Sequence, residues 1–196
     1  MKLIKVLVLT GLSMSIATAL MGTSSAMAES TVLCKVDQSP CPEGSWIKSV
    51  HFVAKGVFFE PGEYNYECEA LLAAEALGLG SPEVLDVTSL QYTNCNKGCT
   101  RTAIKLGTLK VLRTGKELAS VTGEGGEILV KCSSGIHCVF DLGGTAGTLS
   151  GPLLTGSIAH LTYSKALLHK IAGFFCPSEV TLTALFEALE TFYISS

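Results

Sequence analysis

Ile47-Lys48-Ser49-Val50-His51-Phe52-Val53-Ala54-Lys55-Gly56-Val57-Phe58-Phe59 decides the fold class of this chain. Val50, Phe52 and Ala54 fall on one face of an extended segment and His51, Val53 and Lys55 on the other. That two-residue period, rich in Val and Phe, is the pattern of a half-buried strand. Downstream, Pro61-Gly62 turns the chain and Tyr64, Tyr66 and Cys68 continue on a single face. Upstream, Val32 to Val36 is a short strand, followed by a loop marked by Pro40, Pro42 and Gly44. Val84 to Cys95 supplies another strand, with Val87, Thr88, Leu90 and Tyr92 suited to a pleated surface.

Beyond Thr100 the alternation loses one residue of phase. Ile104 and Leu106 sit on even positions, Leu109 and Val111 on odd ones, so a bulge or tight turn is expected around Gly107-Thr108. Leu118 to Thr122, Glu127 to Lys131, Cys138 to Leu142, Thr148 to Leu154 and the alternating run from Ile158 to Tyr163 add further strands. Two stretches have helical propensity: Glu69 to Leu77, and Leu182 to Tyr193 with apolar residues at i, i+3, i+4, i+7 and i+11. The second also alternates as Val180, Leu182, Ala184 and Phe186. Neighbouring strand signals favour β for both. The expectation is an all-β domain, a single sandwich or partly closed antiparallel barrel stapled by disulfides.

The first residues set the compartment. Lys2 and Lys5, an apolar run from Val6 to Met21 and the small-x-small site Ala26-Met27-Ala28 form a secretory signal peptide over residues 1–28. Its cleavage leaves a 168-residue domain, 29–196, and removes two lysines, leaving 12 basic against 17 acidic side chains. An acidic surface gives no reason to expect nucleic acid or an anionic membrane as partner, and no second apolar run is expected to span a membrane. Localisation is expected to be secreted or at the cell envelope.

Eight cysteines, all beyond the leader, read as a disulfide framework in an exported chain. Cys34/Cys41, Cys95/Cys99 and Cys132/Cys138 each flank a short polar loop. Asn96-Lys97-Gly98 and Ser133-Ser134-Gly135 would bring the last two pairs together at hairpin necks, which leaves Cys68 and Cys176 to pair across the fold. The two blocks would make a weak internal repeat of stapled hairpins. A zinc site built on these cysteines and His137 has spacings unlike paired Cys-x-x-Cys knuckles, so no metal or other cofactor is expected.

Leu33-Cys34-Lys35-Val36, Ser39-Pro40-Cys41-Pro42, Tyr66-Glu67-Cys68-Glu69, Asn94-Cys95 to Gly98-Cys99, Val130-Lys131-Cys132 and Gly173-Phe174-Phe175-Cys176-Pro177-Ser178-Glu179 together resemble exported cysteine-rich β proteins of unknown function from actinobacteria. The likeness covers nearly the whole mature chain. There is a looser similarity to secreted activators of alkane oxidation. The resemblance implies export and a β fold and carries no chemistry over. It departs after Cys68, where those proteins are polar and Thr-rich and this chain has Ala and Leu.

No nucleophile elbow, metalloprotease motif or phosphate loop is present, and His51, His137, His160 and His169 lack a nucleophile setting. Glu60, Glu63, Glu67 and Glu69 read as a solvated face. Lys97, Arg101 and Lys105 share parity, so a regular strand would line them up as a basic stripe. The stripe is the candidate ligand-binding surface, with an anionic envelope polymer or another surface protein as partner. The function expected is a non-catalytic exported binding or structural module, not an enzyme; the alternative is a small secreted hydrolase using a histidine base.

Overall fold

A computed structural model describes residues 30–60, 66–78, 80–152 and 157–196. The expected leader, the Pro61-Gly62 turn and Glu63 lie outside the described residues. Among those described, the chain forms thirteen strands and no helix. No helix long and apolar enough to cross a membrane is found among them.

Strands β2 (Ser49–Glu60), β3 (Tyr66–Ala76) and β4 (Glu83–Thr93) form an antiparallel meander. The next three passes across the sheet are each broken near the middle. They comprise β5 (Cys99–Lys105) with β6 (Thr108–Gly115), β7 (Leu118–Glu124) with β8 (Glu127–Cys132), and β9 (His137–Asp141) with β10 (Ala146–Ser150). Strands β11 (His160–Phe174) and β12 (Glu179–Ala188) follow, and β12 closes the circle on β2. The result is an eight-stranded antiparallel barrel, sealed at one end by the β10–β11 pairing, with β9, β8 and β5 extending it as a further sheet from the second half of β11. At that far end one ladder is missing. Glu83–Asp86 of β4 pair with β6, whereas the second half of β4 pairs only with β3, and β5 lies alongside it without a ladder. The barrel is closed at one end and slotted at the other.

The interrupted strands explain the phase break read from the sequence. Leu106-Gly107 stands between β5 and β6, after which Leu109 and Val111 point inward while Ile104 and Leu106 stay exposed. A Cβ on Gly107 would lie 2.1 Å from the Glu124 carbonyl oxygen, so only glycine lets the two broken passes touch at this waist.

Alternation prevails over helical propensity in both doubtful stretches. Cys68, Ala70, Leu72 and Ala74 of β3 face inward, as do Val180, Leu182, Ala184, Phe186 and Ala188 of β12. On β2, Val50, Phe52 and Ala54 are buried; a bulge between Ala54 and Val57 then moves the inward face to Val57 and Phe59. A two-stranded sheet of β1 (Val32–Cys34) and β13 (Tyr193–Ser195) plugs the sealed end with Leu33, Phe192 and Ile194. Phe192 meets Phe52 edge-on, with ring centroids 6.0 Å apart. Buried Glu117 holds the plug, accepting the Ile194 N–H at 3.0 Å; burial raises its pKa.

Four disulfides form, with one expected pairing kept and three corrected. Cys34–Cys41 ties the plug, while the others are Cys68–Cys95, Cys99–Cys132 and Cys138–Cys176. The Cys95/Cys99 pairing fails because β4 and β5 do not pair as a hairpin. The β8–β9 hairpin does form, but its register sets Cys138 opposite Val130, so Cys132 and Cys138 do not face each other. Cys132 lies opposite Cys99 instead, and Cys138 lies opposite Gly173, close to Cys176. The expected repeat of two stapled hairpins is replaced by staples between strands distant in sequence.

Candidate functional site

The three cations expected to form a stripe do not line up. Lys97 lies in the loop before β5, with its ammonium 5.7 Å from the Tyr66 ring centroid. Lys105 follows a bulge and sits 3.6 Å from Glu127. Arg101 points inward and is only 4% exposed. The cysteine framework is the cause: Cys99 must face inward to meet Cys132, and strand parity carries Arg101 with it. The glutamates are spread among local contacts, Glu69 accepting from Asn94 at 2.7 Å and Glu60 from Thr181 at 3.5 Å.

Arg101 is the centre of the slotted end. Its guanidinium stacks 4.3 Å from the Phe59 ring centroid, with Nη1 against Cys68 Sγ and 3.8 Å from Cys95 Sγ. Nε and Nη2 are buried and have no hydrogen-bond partner among the described residues. Desolvation pulls its pKa down to about 10, partly opposed by the Tyr92 and Tyr66 phenols, so it remains a cation at neutral pH. It lines a cavity of about 70 Å³ with Phe59, Tyr66, Val130, Phe140 and Phe175. Tyr92, edge-on to Phe59 at 6.2 Å, faces a second cavity of about 60 Å³ at the waist, which Tyr163 also lines. Burial raises the pKa of both phenols.

A larger cleft, about 490 Å³, lies beside the plug between Trp46, Ile47, Lys48, Glu75 and Leu77. Glu83 lines it at 2% exposure. Burial pushes its pKa up to about 7, although the backbone at Gly80 and Gly78 lies close enough to favour the ionised form. Sequence reading missed Glu83; its parity with Leu85 and Val87 is the signal that places it inside.

The histidines lie apart. His169 contacts Glu179 at 3.2 Å on the surface, His137 is exposed at the slotted end, and His160 begins β11. His51 is different, gripped by Glu190 at 2.5 Å on the outer wall. At the β11–β12 turn, Phe174 and Phe175 are 87% and 98% exposed. Among the described residues no group of three His, Cys, Asp or Glu is arranged to hold a metal ion.

The chain matches no protein family, no curated protein and no solved structure. Any functional reading therefore rests on these sites alone.

Proposed function

We propose that this is an exported binding module of the cell envelope or extracellular space, and that its ligand presents an anionic group to Arg101. Four disulfides suit an oxidising, extracytoplasmic compartment. The observation that carries the reading is a charged guanidinium buried in an apolar chamber without a carboxylate partner among the described residues. Burying an uncompensated charge costs several kcal/mol, so an incoming anion recovers what the empty fold forgoes. The free edge narrows the choice of anion. Nε and Nη2 form the side of the fork that takes a carboxylate by two parallel hydrogen bonds.

The chamber limits the ligand. A barrel of eight strands leaves room for side chains or one small guest, and about 70 Å³ takes a head group rather than a polymer. The stripe expected from sequence thus becomes a single interior anion receptor. Lys97 and Lys105 remain outside, where either an envelope polymer or another surface protein can reach them.

Titration calorimetry with octanoate tests this. The protein should bind, and Arg101→Met should weaken binding at least about 100-fold, the loss of roughly 3 kcal/mol expected of a charged bidentate contact. If the unmodified protein takes up no octanoate, or Arg101→Met binds it equally well, the reading is wrong.

A further inference from the structure

The Cys68–Cys95 disulfide has a buried cation against its sulfur atoms. Arg101 Nη1 contacts Cys68 Sγ and lies 3.8 Å from Cys95 Sγ. This nitrogen is not one of the two that form the free carboxylate-binding edge, so the arrangement does not rest on the carboxylate reading. Two constraints hold the guanidinium there. Strand parity with the bridged Cys99 turns Arg101 inward, and the Phe59 ring, 4.3 Å away, stacks on it. Cys68 comes from the neighbouring pass, facing inward on β3 opposite Val57.

The two sulfurs are unequal. Cys68 is 0% exposed, whereas Cys95 is half-buried in the loop that follows β4. A thiolate from solvent therefore meets Cys95, and Cys68 is the sulfur that leaves. Exchange is faster when the leaving thiol has a low pKa, and a disulfide oxidises more strongly when its reduced form is stabilised. A cation at the sulfur does both, because it favours thiolate over thiol. Burial strengthens the effect, since water does not screen the pair. Lys97, in the same loop as Cys95, adds positive charge on the side from which an anionic thiolate arrives. Glu69, next to Cys68 in sequence, is exposed and bonded to Asn94 at 2.7 Å. At Cys138–Cys176, by contrast, Lys170 Nζ is directed to the Cys176 carbonyl, at 3.5 Å.

We propose that Cys68–Cys95 is a redox-active disulfide that oxidises low-molecular-weight thiols, with Cys95 as the sulfur attacked, Cys68 as the leaving group and Arg101 as the group that stabilises it. The thiolate of a first thiol bonds to Cys95 Sγ. The bond between the two protein sulfurs breaks, and its electron pair goes to Cys68 Sγ, a thiolate beside the guanidinium. The thiolate of a second thiol then attacks the small-molecule sulfur of the mixed disulfide. That bond breaks in turn, and Cys95 departs as a thiolate and takes a proton from water. Two thiols have become one disulfide, and the protein has gained two electrons. Of the two protons the thiols gave up, one is on Cys95 and the other is in solvent. No local motif announces this site, because its parts come from β3, the loop after β4 and β5, and meet only in the folded barrel.

The test equilibrates the oxidised, purified protein with graded mixtures of reduced and oxidised glutathione, free of any added fatty acid. Acid quenching, alkylation and mass spectrometry then report the state of each cysteine. Cys68–Cys95 should open in the least reducing mixture of the four disulfides, and glutathione trapped at early times should be on Cys95. Arg101→Met should lower its exchange equilibrium constant at least about 10-fold, equivalent to about 30 mV, and leave the other three disulfides unchanged. Arg101→Lys keeps the charge and should restore most of that loss. The order of opening is read in the parent protein, so it decides the matter even where a variant does not fold. Another disulfide opening first, glutathione on Cys68, or an Arg101→Met variant whose four disulfides all shift together or not at all each overturns the proposal. Octanoate binding is measured separately, so either reading of Arg101 can fail without the other.

Discussion

Replacing Glu83 by Gln should change how the stability of this protein responds to pH. Glu83 is buried at the floor of the cleft beside the plug, and burial pushes its pKa up to about 7 from an ordinary 4.5. An acid whose pKa is higher folded than unfolded binds its proton more tightly in the folded state. Its contribution is therefore fully present below the unfolded value and is lost as pH climbs through the folded one. Each pH unit separating two pKa values is worth about 1.4 kcal/mol. The gap between 4.5 and about 7 thus corresponds to roughly 3 kcal/mol withdrawn across that window. Glutamine keeps the shape and cannot ionise. Guanidinium denaturation with the disulfides intact, at pH values from about 5 to about 8, gives the difference between variant and parent, in which other titrating groups cancel. Glu83→Gln should gain on the parent by up to about 1.4 kcal/mol per pH unit and level off above pH 7. A difference that stays flat with pH, or that moves against the variant, would show that burial does not raise the affinity of Glu83 for its proton.

Other outcomes follow from the framework and the surface. Cys99→Ala/Cys132→Ala opens a loop with a sequence separation of 33, against 7 for Cys34→Ala/Cys41→Ala. Loop-closure entropy puts these losses at about 4 and about 2.5 kcal/mol, and thermal melting should rank them in that order. Gly107→Ala drives a methyl into the Glu124 carbonyl and should cost about 3 kcal/mol in denaturant unfolding. Gly78→Ala meets nothing within 4 Å and should stay within about 0.5 kcal/mol. Phe174→Ser/Phe175→Ser should reduce binding of a hydrophobic dye while moving stability by less than about 0.5 kcal/mol, since both rings are already in water.

Much of the fold is legible in the sequence because inward alternation is a local signal. Val50, Phe52 and Ala54 announce their face without reference to any other strand, and the phase slip near Gly107 marks the waist of the barrel. The pairing of cysteines is not local in that way. Spacing alone makes Cys95 and Cys99 look like neighbours, and only the absence of a β4–β5 ladder, a property of the whole sheet, separates them. The candidate sites fail to appear for a related reason. Arg101 looks like a member of a basic stripe until parity with the bridged Cys99 turns it inward. His51 meets its carboxylate partner only through Glu190, 139 residues away.

The missing β4–β5 ladder has a consequence for where this chain can survive. Cys68–Cys95, Cys99–Cys132 and Cys138–Cys176 all belong to the slotted end, so sulfur supplies there the continuity that peptide groups supply at the sealed end. A copy kept in a reducing cytosol would retain a firm base and fray at the rim, baring the tips of β4, β5 and β8 to proteases. The slotted rim is thus complete only where these three disulfides can form.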